Sequence, residues 1–307
     1  MSRFRFPDSG DVIGAHLSTQ GGLHTAFERA AIIGASAGAI FAKNSNRWKG
    51  KELTPEDCAL FAEKRTLGPV LTHVSYLINL ATTNAEFHRK SLLAMIDELD
   101  RAERLGIHAV VLHPGAHMGA GTAAGIDQIA RSFDRIHAAT AGHGVVTLLE
   151  TAAGQGSCVG CTFEELGNIL DLVDDPSRLG ICVDTCHVFA AGYEIRTRDG
   201  YELMIEEIDK HTGIENVGAF HLNDSKRPLG SRVDRHQHIG DGEIGLDAFA
   251  FVLNDVRFAA IPKLIETPKN EDHSWDIRNL ATLRSLLSTT EGEGAVTAGM
   301  AAAVQIG

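Results

Sequence analysis

Short apolar runs alternate along this chain with longer segments whose apolar residues recur every three or four positions. The runs read as strands buried on both faces, and the longer segments as helices that bury one face. Strands are expected over Val12–His16, Gly38–Ala42, Val70–His73, Ala109–His113, Val145–Glu150, Gly180–Asp184, Val217–His221 and Lys263–Glu266. Their starts are spaced by roughly 30 to 45 residues, the length of one βαβ repeat. Strand and helix in regular alternation imply a parallel sheet. Eight such units close into a (β/α)8 barrel of the TIM type, so the fold class is α/β.

The helices carry recognisable ends. Thr54 precedes Pro55, Glu56 and Asp57. That order supplies a capping hydroxyl, a proline where no N–H is needed, and acids at the positive end of the helix dipole. Thr162 and Glu165 have the spacing of a capping box before Leu166–Val173. A helix over Thr83–Leu105 is expected to stop at Gly106, a residue suited to the left-handed cap. Residues 1–10 read as an N-terminal extension and 11–287 as one barrel domain. The segment 288–307 is small and glycine-rich without an amphipathic pattern, and is expected to be disordered.

Composition narrows the class. With 307 residues, 44% hydrophobic and 22% charged, the chain has ample material for a large core. No run reaches the roughly 20 apolar residues of a membrane span. The opening MSRFRFPDSGDV has a basic start without the apolar stretch of a signal peptide, so the expected location is the cytoplasm. Five sparse cysteines, an odd number, argue against a disulfide framework.

The strand ends carry the chemistry. Consecutive expected strands finish on His73, His113, Glu150, Asp184, His221 and Glu266. In a parallel barrel these ends share one face, where the active sites of such barrels lie. One apolar strand ending in histidine or aspartate is commonplace, because the chain is simply emerging into water; six in succession point to a metal centre. Imidazole and carboxylate without thiolate suit catalytic zinc, with manganese or iron as substitutes. Glu150, near the middle of the set, has two oxygens with which to bridge two ions. Three more candidates follow on loops. His187 lies three residues after Asp184, and Asp234 and His236 flank Arg235, so that in extended backbone both point to one side.

Several segments are long enough to be specific. GAHLSTQGGL (14–23), THVSYLINL (72–80), LHPGAH (112–117), LETAAGQG (149–156), CVDTCHVFAAGY (182–193), FHLNDSK (220–226), GSRVDRHQHIGDGEIG (230–245) and LIETP (264–268) occur in order. Together they resemble endonuclease IV, the family of apurinic/apyrimidinic-site endonucleases, from about Ile13 to Leu286. The resemblance implies three zinc ions per chain. His73, His113 and Glu150 would hold the first; Glu150, Asp184, His221 and Glu266 the second; His187, Asp234 and His236 the third. All nine positions carry the expected residue type.

The implied reaction is hydrolysis of the phosphodiester 5′ to an abasic nucleotide in double-stranded DNA, leaving a 3′ hydroxyl and a 5′ deoxyribose phosphate. A hydroxide between the first two zincs is the implied nucleophile. Glu150 and Glu266 are then the residues on which catalysis depends, as ligands, and Glu150 has no duty as a base. Family members push side chains into the stack from the minor groove and flip the abasic nucleotide toward the metals. Tyr76 and Leu77 match that inserting pair. The loop from Lys43 to Trp48 matches a second DNA-contacting loop, with one departure. The family has arginine where Asn46 stands, followed here by Arg47; either Arg47 takes the role or the contact is weaker. Basic residues gather near these loops, with Lys43, Arg47, Lys49 and Lys51 on one and Lys226, Arg227, Arg232 and Arg235 on the other. The formal net charge of -12 runs against nucleic-acid binding. Three zinc ions would return six positive charges where phosphate arrives.

The strongest alternative is a metal-dependent sugar isomerase or epimerase of the xylose-isomerase-like barrel group. Such enzymes ring the barrel mouth with similar residues around one or two metals. His187, Asp234, His236 and the Tyr76–Leu77 pair discriminate against it. Cys158 and Cys161 have C-x-x-C spacing, but one such pair says little for structural zinc. Cys182 and Cys186 are expected to pack around the site, and His16 and His117 to stand just behind it. The barrel needs no partner to bury its helices, so a monomer is expected.

Overall fold

The computed structural model describes residues 2–4 and 12–288. Most of the expected extension and all but the first residue of the expected tail lie outside the described residues. The barrel strands are β1 (Ile13–Leu17), β2 (Ala37–Ile40), β3 (Val70–His73), β4 (Ala109–Leu112), β5 (Val146–Glu150), β6 (Leu179–Asp184) and β7 (Val217–His221). A two-residue antiparallel ribbon follows, β8 (Asp224–Ser225) with β9 (His236–Gln237), and then the last barrel strand, β10 (Lys263–Ile265). β10 pairs with both β7 and β1, and every barrel pairing is parallel, so the sheet closes as an α/β TIM-like barrel. The expected strands match these to within a few residues at each end. The ribbon was not foreseen: two residues carry no periodicity to read.

The helices are α1 (Thr25–Ile33), α2 (Pro55–Lys64), α3 (Ala85–Arg104), α4 (Thr122–Ala139), α5 (Phe163–Leu172), α6 (Thr185–Ala191), α7 (Arg198–Thr212), α8 (Leu246–Leu253) and α9 (Ser274–Ser285). Their caps follow the sequence closely. Thr54 Oγ1 accepts from Asp57 N at 3.1 Å and Asp57 Oδ2 accepts from Thr54 N at 3.1 Å, a complete capping box. At α5 only half the box forms. Thr162 Oγ1 accepts from Glu165 N, but the Glu165 carboxylate turns to the N–H groups of Gly160 and Cys161. None of the described helices is long and apolar enough to cross a membrane.

Two layers of core fix the barrel. Outward-facing strand residues such as Ile40, Val110 and Val183 pack against the helices. Inward-facing residues form a second, small cluster: Ala37, Ala39, Leu71, Ala109, Val111, Leu148, Cys182, Ala219 and Leu264. Side chains two apart on a strand share a face. The residues two beyond this inner layer are therefore Phe41, His73, His113, Glu150, Asp184, His221 and Glu266, and with His16 on β1 they ring the barrel mouth. The pleat alone aims seven histidine, aspartate and glutamate side chains at a common axis.

The floor of the barrel is closed by a residue assigned above to the extension. Phe4 packs into the inner cluster, and a Cβ on Gly180 or Gly218 would lie 2.5 or 3.0 Å from its ring. Ser2 Oγ donates to Val217 O, and Arg3 N donates to Glu215 O at 2.8 Å. Residues 2–4 are thus part of the barrel. Their aromatic plug is invisible in a single strand pattern because it fills the space that glycines leave on β6 and β7.

Gly14 leaves no room for a side chain between β1 and β2: a Cβ there would fall 1.7 Å from Ala37 O. Gly14→Ala is expected to cost more than about 3 kcal/mol in denaturant unfolding. Gly106→Ala, at a positive φ with open space around it, should cost about 1 kcal/mol. Equal costs for the two would refute the tight β1–β2 approach.

Candidate metal centre

Glu150 closes β5 with its carboxylate fully buried. Its oxygens face different imidazoles. Oε1 lies 2.7 Å from His221 Nδ1 and 3.8 Å from His187 Nδ1, whereas Oε2 lies 3.2 Å from His73 Nε2 and 3.4 Å from His113 Nε2. Glu266, just beyond β10, brings Oε2 to 3.3 Å from His221 Nδ1.

A second cluster begins where β6 becomes α6. Asp184 is the last strand residue and the N-cap of the helix, its Oδ1 accepting from His187 N at 2.9 Å. One carboxylate thereby ends a strand, starts a helix and fixes His187 one turn away. The β8–β9 ribbon then carries His236 across the mouth, 3.7 Å from Asp184 Oδ2 through its Nε2. Asp234 lies between two imidazoles, 3.3 Å from His187 Nε2 and 3.2 Å from His236 Nε2.

The structure thus brings together all nine side chains singled out in the sequence. Their ligand atoms fall within 4.8 Å of one another in three groups. His73, His113 and Glu150 form one; Glu150, Asp184, His221 and Glu266 another; His187, Asp234 and His236 the third. Glu150 is common to the first two.

The imidazole surroundings fit a metal. His73 Nδ1 donates to Val74 O at 2.9 Å, His187 Nδ1 to Thr151 O at 2.8 Å, and His236 Nδ1 to Glu266 O at 3.2 Å. A carbonyl can only accept, so Nδ1 carries the proton and Nε2 is aimed inward with its lone pair available, the usual arrangement behind a metal-bound histidine. His221 is turned the other way, with Nδ1 toward the carboxylates. His236 Nε2 faces Asp234 Oδ1 at 3.2 Å and Asp184 Oδ2 at 3.7 Å without hydrogen-bond geometry to either, an arrangement that an ion between them would satisfy.

Asn223, unnoticed in the sequence, holds the groups in register. Its Nδ2 donates to Asp184 Oδ2 at 2.7 Å, and its Oδ1 accepts from Glu266 N at 2.7 Å. Its own N–H donates to Thr185 Oγ1 at 2.9 Å. The signal was present: Asn223 lies two beyond His221, on the inward parity. Asp224 fastens the ribbon by accepting from the N–H groups of Ser225, Gly240, Gly242 and Ile244.

His16 stands half-buried beside the cluster, with its ring 4.5 Å from Phe41. Burial pushes its pKa down to about 3, so it stays neutral. His117 does not stand behind the site; its Nδ1 accepts from Gly119 N and Gly121 N, which staples a loop.

At the rim, Tyr76 is 58% exposed, with its ring 5.5 Å from His73 and 5.4 Å from Phe41; Leu77 beside it is half-buried. Tyr76 N donates to Ser45 O at 3.1 Å and Ser75 Oγ to the same carbonyl at 2.6 Å, which ties this turn to the loop bearing Asn46 and Arg47. Asn46, Arg47, Arg232 and Arg235 are exposed. Lys43 is a correction to the basic rim expected above. It is buried and paired with Asp97 at 2.7 Å and Glu98 at 3.5 Å, so it braces the loop from beneath.

The comparisons with known proteins agree with this geometry. A family model described as a xylose isomerase-like TIM barrel matches residues 27–286. A probable endonuclease 4 of Chloroflexus aurantiacus is 48% identical over 91% of this chain and 99% of its own length. The crystal structure of endonuclease IV from Thermus thermophilus superposes with a TM-score of 0.78 at 34% identity, covering 89% of this chain and 98% of that one. A D-tagatose 3-epimerase-like protein shares the fold, with a TM-score of 0.70 at 20% identity, over 89% of this chain and 96% of its own. The chain belongs to the endonuclease 4 family of xylose isomerase-like TIM barrels. The resemblance read from its motifs is borne out.

Without metal, the centre is held by protons. Burial opposes charge on His187, but Asp184, Asp234 and Glu150 outweigh it and raise its pKa to about 10. At His236 burial is likewise outweighed, by Asp184 and Asp234, and the pKa rises to about 9. For a raised histidine, the stabilisation is complete below the unfolded value near 6.5 and is lost as pH climbs through the folded value. Metal-stripped protein should therefore lose Tm between about pH 7 and about pH 10.5, and His187→Asn with His236→Asn should remove about half of that loss or more. The same alkaline loss in the double variant would show that these imidazoles do not carry it.

Proposed function

We propose that this chain is a zinc-dependent DNA repair endonuclease. It hydrolyses the phosphodiester 5′ to an abasic site in double-stranded DNA and leaves a 3′ hydroxyl and a 5′ deoxyribose phosphate. The observation that carries the reading is the partition of nine buried or half-buried ligands into three adjoining groups around Glu150 and Asp184. His73, His113 and Glu150 would hold one ion, Glu150, Asp184, His221 and Glu266 a second, and His187, Asp234 and His236 a third. Zinc held by these residues would supply a water acidic enough to ionise near neutral pH and positive charge to offset that of the phosphate.

The chain's own residues do the rest. Glu150 and Glu266 are the catalytic carboxylates in the sense of holding the ions; both oxygens of Glu150 face imidazoles of the ligand groups, which commits it to that role and not to base work. Burial raises carboxylate pKa values, yet His113 and His221 outweigh it at Glu150 and hold it well below the usual range. At Glu266 burial is outweighed chiefly by His221, and the pKa falls to about 2. Both therefore remain anionic ligands through neutral pH. Tyr76 and Leu77, mounted over the cluster, enter the base stack, while Asn46, Arg47, Arg232 and Arg235 take phosphates along the rim. A chain with net charge -12 binds DNA through this local surface and its bound cations. The enzyme acts as a monomer. The sugar-isomerase alternative accounts for the barrel and two of the groups, but leaves His187, Asp234, His236 and the Tyr76 wedge without a use.

The direct test is a duplex carrying a tetrahydrofuran abasic analogue, incubated with metal-loaded protein with and without a chelator. Cleavage 5′ to the analogue that the chelator abolishes is expected; an uncut duplex with fully loaded protein would sink the nuclease reading. Elemental analysis should give about three zinc ions per chain, because three ligand groups are present; one or two would favour the isomerase.

Two substitutions separate holding an ion from orienting its holder. Glu266→Gln should leave the barrel folded and lower cleavage by at least about 100-fold. Asn223→Ala should weaken metal affinity by about 10- to 100-fold, with activity recovered at high zinc. Activity that zinc fails to restore would show that Asn223 acts on something other than the ligands.

A further inference from the structure

Cys158 and Cys161 have no part in the metal centre, yet they are built as a pair. Their sulfurs are 3.2 Å apart. The backbone on both sides is clamped: Ala152 N donates to Gly160 O, Val159 N to Gly115 O, and His117 N to Ser157 O. The Glu165 carboxylate accepts from both Gly160 N and Cys161 N, at 2.7 and 2.9 Å. The approach of the two thiols is therefore imposed by the loop.

Their positions differ. Cys158 lines a cleft of about 280 Å3 whose other walls include Tyr76, His113, His187 and Asp234; Cys161 is not in that wall. Among the described residues, no histidine, aspartate or glutamate joins the pair in a group able to hold a metal. The remaining chemistry of two adjacent thiols is redox.

We propose that Cys158 and Cys161 are a peroxide-reactive dithiol in the wall of the metal cleft, with Cys158 attacking and Cys161 resolving. The Cys158 thiolate attacks one peroxide oxygen; the O–O bond breaks, and the departing hydroxide takes up the thiol's proton as water. Cys161 sulfur then attacks the Cys158 sulfenic acid, the S–O bond breaks, and a second water leaves. Two thiols and one hydrogen peroxide give one disulfide and two waters. The contact with the Cys161 sulfur lowers the pKa of the Cys158 thiol, which burial opposes. By contrast, burial pushes Cys182 and Cys186 up to about 12. The assignment holds whether or not the cleft cuts DNA.

The test uses the reduced, full-length, zinc-loaded protein, treated with hydrogen peroxide, denatured, alkylated with N-ethylmaleimide and mapped by mass spectrometry. The expected result is that three of the five cysteines still take label, with the peptide spanning Cys158 and Cys161 two hydrogens lighter until dithiothreitol is added. In Cys161→Ser, dimedone should trap a sulfenic acid at Cys158; in Cys158→Ser, oxidation of Cys161 should be at least about tenfold slower. Full labelling of both thiols after peroxide, or loss of label first at Cys58, overturns the proposal. So does a Cys158→Ser variant oxidised at Cys161 as fast as Cys161→Ser is at Cys158. The wild-type mass measurement decides the disulfide even if a variant does not fold.

Discussion

A carboxylate with no access to water has to be compensated by something close at hand, and in this barrel that carboxylate is Glu150. Four imidazoles from four different elements, those of His73, His113, His187 and His221, converge on its two oxygens. Each element is placed by its own burial, so the neutralisation of one charge couples β3, β4, β7 and α6 to β5. The same convergence decides what the mouth can hold. Compensation comes from protons on the imidazoles or from divalent ions between them, and the two compete for the same lone pairs.

Much of this was legible in the chain because a parallel barrel translates linear position into direction. An apolar strand that ends on a polar residue of inward parity aims that residue at the axis, so His73, Glu150, Asp184 and His221 could be read before any coordinates. What was not legible came from longer-range geometry. Phe4 fills a hole made by two glycines on other strands. Lys43 looked like part of a basic rim because its neighbours Arg47, Lys49 and Lys51 are exposed; only the fold places Asp97 and Glu98 of α3 beneath it. Asn223 went unread although its parity was right, because an amide at a strand end invites no metal argument.

The barrel alone does not choose a reaction. An epimerase-like protein of similar shape shares the fold at an identity too low to speak for more. In this chain further candidate ligands are placed at the edges of the barrel. Asp184 does double duty at a strand end and a helix start, and a ribbon two residues long swings His236 and Asp234 over the opening. Both additions are small in sequence, and each is anchored by buried hydrogen bonds of an aspartate, Asp184 in one and Asp224 in the other.

The brace under the rim has a consequence for how recognition would proceed. Lys43, locked between two acids of α3, supports the loop whose Ser45 carbonyl holds the Tyr76 turn, and Glu98 accepts from Ser75 N at 3.1 Å. The protruding ring is thus mounted on a stiff bracket with little conformational entropy left to lose on docking. On the proposed function, nearly all the deformation then falls on the nucleic acid. A helix already missing a base yields cheaply and an intact one does not, so the stiffness of the bracket would itself act as a sieve between damaged and sound DNA.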